Sequence, residues 1–462
     1  MLSEIENMER TLTSELKKWK ESPCRKPLLL LGARQVGKTW LMKDFASTHY
    51  KNTVYIRFDR NIRMREIFES SNYEMDSLLI QMQMLTGEKV EPENTLIILD
   101  EIQECPAALT SLKYFCEDLP EYHVMAAGSL LGVYDHYGTG FPVGKVNTMT
   151  LYPMSYCEFL MAMGNKLDVE MFENQRWDII KNFSDRYTQL LKLYYYIGGM
   201  PEAVNTYIQT KDFNAVRKVQ KSILSDYEKD FSKHVPKGLA SKLFMIWESI
   251  PEQLAKENKR FVYGDVKKGL RSRDLEDALD WLRRAGLVER VNRINSPSLP
   301  IAAYKDGAFK LYFVDVGLLA AKVDLSVRVL LEKTAVFHEF KGALTEQYVQ
   351  QQLRAECGIE PLYWRSDSYQ AEVDFVFQQE LDVVPVEVKA ETNTKAKSLL
   401  SYCKKYMPKL ALRCSMNDYS RQLLSVDTDK HVVLLDIPLY AVATMKKICK
   451  AEFATDTQVF SL

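Results

Sequence analysis

An eight-residue run near the start of the chain carries the residue types needed to bind a phosphate group. It reads Gly32-Ala-Arg-Gln-Val-Gly37-Lys38-Thr39 and matches G-x-x-x-x-G-K-[ST] at every fixed position. The glycines let backbone N–H groups surround phosphate oxygens, and the following helix N-terminus adds positive potential. Lys38 is expected to reach the β- and γ-phosphates, and the Thr39 hydroxyl to ligate Mg²⁺. The predicted nucleotide-binding residues here are Gly32, Ala33, Arg34, Gln35, Val36, Gly37, Lys38, Thr39 and Trp40.

A second element further along the chain carries the acidic residues that such a site needs. The apolar run Leu96–Leu99 is followed directly by Asp100 and Glu101. In open α/β sheets, ligands bind at the carboxyl ends of the strands. We expect Asp100 to hold Mg²⁺ through water, and Glu101 to orient and deprotonate the attacking water. An acidic pair at a strand end is also typical of a solvated turn, but its combination with the phosphate loop favours catalysis.

Two further residues are candidates for contacting the terminal phosphate. Ser129 follows the next apolar run, in Ala127-Gly128-Ser129, and is either a phosphate-sensing group or a helix N-cap. Phosphoryl transfer also needs a cation near the transferred group. Lys145, in the segment FPVGKV, is a candidate for that cation, although the sequence does not place it.

A second group of charged residues lies in the C-terminal third. Asp374 lies in AEVDFVF, and Glu387 and Lys389 lie in VPVEVKA. Residues two apart in a strand share a face, and a turn at QQELD would bring Glu387 back beside Asp374. Two carboxylates and a lysine would then form a Mg²⁺ site, with Lys389 orienting a hydroxide or stabilising the pentavalent phosphate. Glu346, on the preceding predicted helix, would complete the ligand set, and Glu372 is either a further ligand or a solvated group.

This D…E-x-K spacing is that of the restriction-endonuclease-like nucleases, with the elements in the matching order. The alternation Val-Glu-Val-Lys is also ordinary for an amphipathic strand. The pattern therefore predicts a restriction-endonuclease-like fold and leaves open whether the domain cuts nucleic acid.

Hydrophobic periodicity predicts the elements that must position these residues. The runs 27–32, 53–58, 95–100 and 123–128 resemble strands buried on both faces, and helical segments separate several of them. This alternation predicts an α/β fold with a parallel, doubly wound P-loop sheet. The predicted domains are a P-loop core with an N-terminal helix (1–155), a helical region (156–255), a winged-helix-like domain (256–335) and a restriction-endonuclease-like α/β domain (336–462).

Composition limits the classes of function. The 462 residues are 46% hydrophobic, and 61 Lys+Arg against 62 Asp+Glu give a net charge of −1. That balance argues against coating nucleic acid through bulk charge, although Arg271 and Arg273 are able either to touch a DNA backbone or to pair with nearby acids. The eight cysteines include no CxxC pair, which favours reduced thiols in the cytoplasm. No apolar run is long enough to span a bilayer, so no membrane partner is expected.

Taken together, several motifs resemble those of one family. They are GARQVGKT, IILDEIQ, AAGS, FPVGKV, GGMPEAV, GALTEQYV, YWRS, EVDF and PVEVKA. The chain resembles, over nearly its full length, the prokaryotic AAA-family ATPases that pair a P-loop domain with a C-terminal domain of unknown function. The resemblance implies ATP as the nucleotide, an AAA+-like ATPase core at 1–155 with a helical lid at 156–255, and the winged helix and nuclease-like domain described above.

Two positions depart from that family. Relatives often have Thr-Gly-Ser at the Ala127 segment, and Gly-Arg at Gly144-Lys145. Because arginine engages phosphate through a bidentate fork and lysine does not, the second change weakens an arginine-finger role.

The sequence thus predicts a cytoplasmic, Mg²⁺-dependent ATPase that couples its nucleotide state to binding or cleavage of nucleic acid, with DNA as a candidate partner. The alternative is a nucleotide-switched regulatory or scaffolding protein with an inactive nuclease-like domain. Homo-oligomer formation is left open.

Overall fold

The computed structural model describes residues 8–128, 141–233, 235, 237–331, 338–368, 370–391 and 396–459. These residues form two compact units. The P-loop unit contains Glu9–Tyr152 and Trp281–Leu287. The C-terminal unit contains Met8 and the described residues of Pro153–Asp280 and Val288–Leu462. The finer predicted division into four domains stays a prediction.

In the P-loop unit, strands alternate with helices in the predicted way. Its elements are α1 (Leu12–Glu21), β1 (Leu28–Leu31), α2 (Lys38–His49), β2 (Asn52–Arg57), α3 (Ile62–Ser70), α4 (Met75–Thr86), β3 (Thr95–Asp100), α5 (Pro106–Glu117), β4 (His123–Ala127) and β5 (Asn147–Thr150). The four apolar runs identified in the sequence become β1 to β4. Strand β5 was not predicted, because its sequence NTMT is polar and only partly buried.

The five strands form one parallel sheet with the order β2-β3-β4-β1-β5. Every residue of β1, β3 and β4 is buried, which explains why these strands are continuous apolar runs. Because all strands run the same way, their carboxyl ends share one edge of the sheet. The phosphate loop follows β1 at this edge, and Asp100 ends β3 there.

The C-terminal unit combines a helical region with a mixed sheet. Its helices are α6 (Tyr156–Ala162), α7 (Lys166–Glu173), α8 (Trp177–Ile180), α9 (Ser184–Ile197), α10 (Pro201–Thr210), α11 (Phe213–Lys233), α12 (Lys237–Ala255), α13 (Tyr263–Val266), α14 (Ser272–Arg284, whose last four residues group with the P-loop unit), α15 (Val316–Lys322), α16 (Val327–Leu331), α17 (His338–Ala355), α18 (Lys397–Tyr406) and α19 (Met445–Val459). Its strands are β6 (Val288–Ile294), β7 (Lys305–Phe313), β8 (Leu362–Arg365), β9 (Glu372–Gln379), β10 (Asp382–Val388), β11 (Leu410–Ser415), β12 (Ser420–Asp427) and β13 (Lys430–Pro438).

These strands form a single sheet with the order β12-β13-β11-β10-β9-β8-β6-β7. Strands β8, β9 and β10 are antiparallel neighbours. Strand β10 pairs in parallel with β11, and helix α18 connects the two in the chain. The hairpin β6–β7 follows α14 and joins this sheet through a parallel pairing of β6 with β8. The hairpin is therefore part of a larger sheet rather than an independent wing.

Helix α17 is fixed in the C-terminal unit by buried glutamines. Gln347 accepts a hydrogen bond from the backbone N–H of Phe313 (2.9 Å) and donates to the carbonyl of the same residue (2.7 Å). Gln351 accepts from the backbone N–H of Val316 (2.9 Å) and donates to Asp315 (3.1 Å). Buried amides without partners are costly, so these bonds specify one position for α17.

The Gly198-Gly199 pair of the GGMPEAV motif is a close-packing site within the C-terminal unit. Gly198 has a φ of +74°, and a Cβ on Gly199 would collide with the carbonyl oxygen of Met154. The backbone N–H of Gly199 donates to the buried carboxylate of Asp315 at 2.6 Å. Glycine is required here because two backbone segments touch.

No helix among the described residues has the length and apolar character needed to cross a membrane.

Candidate functional site

The phosphate loop curls around the ammonium group of its own lysine. A Cβ on Gly32 would collide with the carbonyl oxygen of Leu151, and Gly37 has a φ of +97°. The ammonium of Lys38 donates hydrogen bonds to the carbonyls of Gly32 (3.0 Å) and Ala33 (2.8 Å). Gly32 therefore permits close packing against the backbone of Leu151, Gly37 permits a left-handed turn, and two loop carbonyls hold the lysine inside the loop.

Asp100 connects the loop to the neighbouring strands. It is 3% exposed at the carboxyl end of β3, and its Oδ2 accepts hydrogen bonds from the hydroxyls of Thr39 and Tyr55, each at 2.8 Å. Its Oδ1 accepts from the backbone N–H of Glu101 at 3.1 Å. The structure thus places Thr39 and Asp100 in direct contact. A hydroxyl beside a carboxylate supplies the oxygen donors that Mg²⁺ prefers.

Glu101 lies next to this pair in an unusual backbone conformation. Its φ is +52°, a left-handed value that is uncommon for a residue with a side chain. Its carboxylate accepts a hydrogen bond from the side-chain amide of Gln103 at 2.6 Å. The amide fixes the orientation of the carboxylate, and Gln103 was not identified from the sequence as a site residue.

Electrostatics at this site follow from burial. Burial lowers the pKa of Lys38 to about 8, although the nearby carboxylates of Glu101 and Asp100 act to raise it. Burial, with the hydrogen bond to Asp100, raises the pKa of Tyr55, so its hydroxyl stays a donor. A partly desolvated lysine gains more from a phosphate than a hydrated one would, because water competes less for its charge.

Arg10 connects the phosphate loop to the segment that follows β5. Its guanidinium donates to the carbonyls of Val36 (2.8 Å) and Tyr152 (2.6 Å), and the side chain is buried. A buried arginine that joins a loop to the segment after β5 stiffens the loop. No sequence pattern marked this residue.

The remaining candidates near the nucleotide are placed differently. Lys145 precedes β5, whose first residue Asn147 pairs with Leu28 at the start of β1. It therefore lies at the amino edge of the sheet, opposite the phosphate loop, and forms an ion pair with Glu117 at 2.8 Å. The structure does not bring Lys145 to the predicted site. Ser129 lies outside the described residues.

The C-terminal unit brings the second predicted set together. The β9–β10 register pairs Phe375 with Val386, so Asp374 and Glu387 are the next residues on facing strands. The Oδ2 of Asp374 accepts a hydrogen bond from the backbone N–H of Val388 at 2.8 Å. Lys389 lies 2.6 Å from the Oε1 of Glu387. The expected neighbours thus meet at the end of β10.

Glu346 lies beside this pair and is engaged by other groups. Its Oε1 forms an ion pair with the ammonium of Lys259. Its Oε2 contacts the ammonium of Lys310 and the hydroxyl of Tyr312, each at 3.3 Å. Lys310 is fully buried and also pairs with Glu372 at 2.7 Å. We call the four carboxylates Glu346, Glu372, Asp374 and Glu387 the acidic cluster.

The charges in the acidic cluster perturb one another. Burial, followed by the nearby carboxylates of Glu346 and Glu387, raises the pKa of Asp374 well above its ordinary range. Burial also raises the pKa of Glu387, against the opposing effect of Lys389. For Glu346, Lys259 and Lys310 outweigh burial and lower the pKa. Raised pKa values mean that negative charge is unfavourable at Asp374 and Glu387, so a cation beside them would stabilise their ionised forms.

Two observations bear on whether these carboxylates hold a metal. Among the described residues, no three His, Cys, Asp or Glu side chains are arranged to bind one ion. The predicted three-carboxylate set of Glu346, Asp374 and Glu387 is therefore not assembled, because lysines engage Glu346. In contrast, the Oε2 of Glu387 is buried and has no hydrogen-bond partner. An orphaned carboxylate oxygen is the group that a cation would satisfy.

Lys259, Lys310 and Tyr312 were missed by the sequence analysis. Lys310 had a usable signal, because it interrupts the apolar run AFKLYFV, and a lysine in a buried strand needs a charged partner. Lys259 lies in a charged connection, KENKR, that resembles any solvated turn. Its contact depends on tertiary structure.

Comparison with protein families agrees with the description of the P-loop unit. Residues 24–160 match the sequence model of a family described as "AAA domain". Residues 188–328 match one described as "Domain of unknown function (DUF8612)", and residues 341–440 one described as "Domain of unknown function (DUF4143)". The first match, together with the loop geometry, supports a P-loop ATPase domain of the AAA class within residues 24–160. The C-terminal matches carry no stated activity.

Solved structures that resemble the chain are distant. A Walker-type ATPase of Pyrococcus abyssi is 14% identical with a TM-score of 0.44, and the match covers 68% of this chain and 96% of the ATPase chain. The Aeropyrum pernix ORC1 protein in complex with DNA is 12% identical with a TM-score of 0.29, covering 70% and 95%. Cdc6p from Pyrobaculum aerophilum is 15% identical with a TM-score of 0.25, covering 70% and 93%. Similarities this weak do not bear on function. No curated protein matches the chain.

Proposed function

We propose that this protein is a Mg²⁺-dependent ATPase that binds and hydrolyses ATP at the carboxyl edge of the P-loop sheet. The supporting observation is the contact between Thr39 and Asp100 at 2.8 Å, which joins the phosphate loop to the end of β3. Lys38 and the loop N–H groups would bind the β- and γ-phosphates. Mg²⁺, bound through Thr39 and Asp100, would neutralise charge that develops on the phosphate oxygens.

Glu101 is the proposed general base. It would accept a proton from a water molecule as the water oxygen forms a bond to the γ-phosphorus. The bond from that phosphorus to the β–γ bridging oxygen breaks, which releases ADP and inorganic phosphate. Gln103 would fix the orientation of the Glu101 carboxylate, because its side-chain amide donates to Oε2 of that group at 2.6 Å.

The test of this proposal is phosphate release from ATP by the full chain with Mg²⁺ and with EDTA. We expect multiple turnovers with Mg²⁺ and none once EDTA removes the metal. Hydrolysis that continues unchanged in EDTA would contradict the assignment of Thr39 and Asp100 as metal ligands. Absence of hydrolysis under both conditions would leave nucleotide binding as the only supported role of the loop.

For the C-terminal unit, we infer a restriction-endonuclease-like domain whose metal pair is Asp374 and Glu387, with Lys389 beside them. The supporting observations are the order α17-β8-β9-β10-α18-β11, the facing positions of the two carboxylates, and the orphaned Oε2 of Glu387. The helix α14 with the β6–β7 hairpin is a candidate nucleic-acid contact. Nucleotide state at the P-loop would control binding or cleavage of DNA.

The alternative, a regulatory protein with an inactive nuclease-like domain, is favoured by a specific observation: both oxygens of Glu346 are engaged by lysines. Metal-dependent cleavage of plasmid and single-stranded DNA, with and without ATP, separates the two functions. Cleavage that disappears in Asp374→Ala supports the nuclease. If ATP is hydrolysed but no DNA is cut with Mg²⁺ or Mn²⁺, the alternative is correct.

A further inference from the structure

The two lysines that engage Glu346 differ in how firmly they are held. Lys310 is fully buried and contacts two carboxylates, Glu346 (3.3 Å) and Glu372 (2.7 Å). The side chain of Lys259 is 17% exposed, and Glu346 is the carboxylate it contacts. Removing Lys310 would take a fully buried cation away from both Glu346 and Glu372, whereas Lys259 lies at the rim and contacts Glu346. Lys259 is therefore the counter-ion that is able to leave.

The segment that carries Lys259 is anchored just beyond it. The backbone N–H of Phe261 donates to the carbonyl of Phe309 at 2.9 Å, beside Lys310. Lys259 itself has a φ of +44°, which is uncommon for a residue with a side chain. Its ammonium lies 3.8 Å from the point where a Cβ on Gly342 would stand, one helical turn before Glu346. The anchored segment aims the side chain at Glu346 while its solvent-exposed part remains reachable.

The ion pair between Lys259 and Glu346 also competes with cation binding at the neighbouring carboxylates. Lys259 occupies Oε1 of Glu346, and Lys310 with Tyr312 occupies Oε2. A divalent cation at Asp374 and Glu387 would be repelled by an ammonium this close, and would lack Glu346 as a ligand. Departure of Lys259 would remove its share of the repulsion and free Oε1 of Glu346, while Lys310 stays at Oε2.

We propose that Lys259 is a displaceable counter-ion: it exchanges Glu346 for a backbone phosphate of a nucleic-acid strand, and this exchange frees Glu346 to complete a divalent-metal site with Asp374 and Glu387. The inference rests on the proposed nuclease-like function of the same site. It adds that the strand itself assembles the metal site. A strand is the favoured occupant because Lys259 and the 32%-exposed Lys389 place two cations at the rim of a buried anionic cluster.

The test measures Mn²⁺ binding to the full chain by electron paramagnetic resonance, without nucleotide. The bound Mn²⁺ that is present in the wild type and absent in Glu387→Gln is the Mn²⁺ held at this site. We expect Lys259→Met to bind these ions at least about tenfold more tightly than the wild type. The matched control is Lys256→Met, three residues earlier, where the lysine pairs with Asp265 at 2.8 Å. That variant should bind Mn²⁺ as the wild type does.

A second arm tests the phosphate contact. Lys259→Met should bind single-stranded DNA more weakly than the wild type. The slope of the logarithm of its binding constant against the logarithm of salt concentration should be smaller in magnitude by about one. Lys259→Gln removes the charge but keeps a donor for Glu346, so it protects the test if the Met variant fails to fold. Both variants are checked by circular dichroism before use.

The outcomes separate the proposal from the function on which it rests. Mn²⁺ binding that is sensitive to Glu387→Gln but equal in wild type and both Lys259 variants overturns the displacement and leaves the metal site standing. Unchanged DNA affinity also overturns it. Absence of any Glu387-dependent Mn²⁺ binding overturns both the displacement of Lys259 and the proposed metal site.

Discussion

The P-loop site and the acidic cluster each bring carboxylates and lysine together, but different forces hold them. At the P-loop, the main chain does most of the positioning: the lysine is held by two loop carbonyls, and Asp100 by a strand end. In the acidic cluster, lysines and carboxylates hold one another across several elements. The first arrangement is assembled before ligand arrives, and the second requires a side chain to move.

The largest expected effect concerns the P-loop lysine. Lys38→Ala removes the cation that binds the β- and γ-phosphates, so ATP hydrolysis should fall at least about a hundredfold. Lys145→Ala is the matched control, because Lys145 pairs with Glu117 at the opposite edge of the sheet. Phosphate release should be unchanged in that variant. A large loss in Lys145→Ala would show that its side chain reaches the nucleotide in another conformation.

The next effect tests whether the two sites are chemically independent. Glu387→Gln removes the orphaned carboxylate oxygen, so metal-dependent DNA cleavage should fall at least about a hundredfold, because the proposed metal ion loses a ligand. ATP hydrolysis without DNA should stay within about twofold. Glu380→Gln, exposed in the turn of the same hairpin, serves as the control for both assays. Equal loss of both activities in Glu387→Gln would contradict separate sites.

A stability prediction follows from the way α17 is held. Gln347→Ala leaves the N–H and the carbonyl of Phe313 without their side-chain partner. The expected cost is about 2–4 kcal/mol in the free energy of unfolding, measured with urea. Gln378→Ala, at an exposed position of β9, should cost less than about 0.5 kcal/mol. Similar values for the two variants would contradict the claim that buried amides position Glu346.

The smallest effect is expected at Tyr55. Tyr55→Phe removes one of the two hydroxyls that donate to Oδ2 of Asp100. We expect ATP hydrolysis to fall about fivefold, as loss of a hydrogen bond of about 1 kcal/mol predicts. Tyr114→Phe, whose ring stacks on Tyr73, is the control and should retain full activity. A loss as large as that of Lys38→Ala would make Tyr55 part of the catalytic machinery.

The same contrast explains what the sequence could predict. The phosphate loop could be predicted because it matches a fixed motif, and β1, β3 and β4 because they are continuous apolar runs. The polar edge strands β5 and β12 were not, since little of their surface is buried and periodicity carries no signal there.

In the acidic cluster, the sequence predicted that Glu387 and Lys389 share a face and that a hairpin returns to Asp374. It did not predict that Glu346 is paired with Lys259 and Lys310, because those residues come from other elements. Local spacing specifies neighbours within a hairpin. Contacts between distant segments depend on the assembled sheet, which no spacing rule encodes.

The most direct test of the central claim, that the P-loop site hydrolyses ATP with Glu101 as its base, compares Glu101→Gln with the wild type. ATP binding, followed with a fluorescent analogue, and phosphate release are measured on the same samples. We expect binding within about twofold of the wild type and hydrolysis reduced at least about a hundredfold, since only the proton acceptor is lost. Hydrolysis at the wild-type rate in Glu101→Gln would contradict the account.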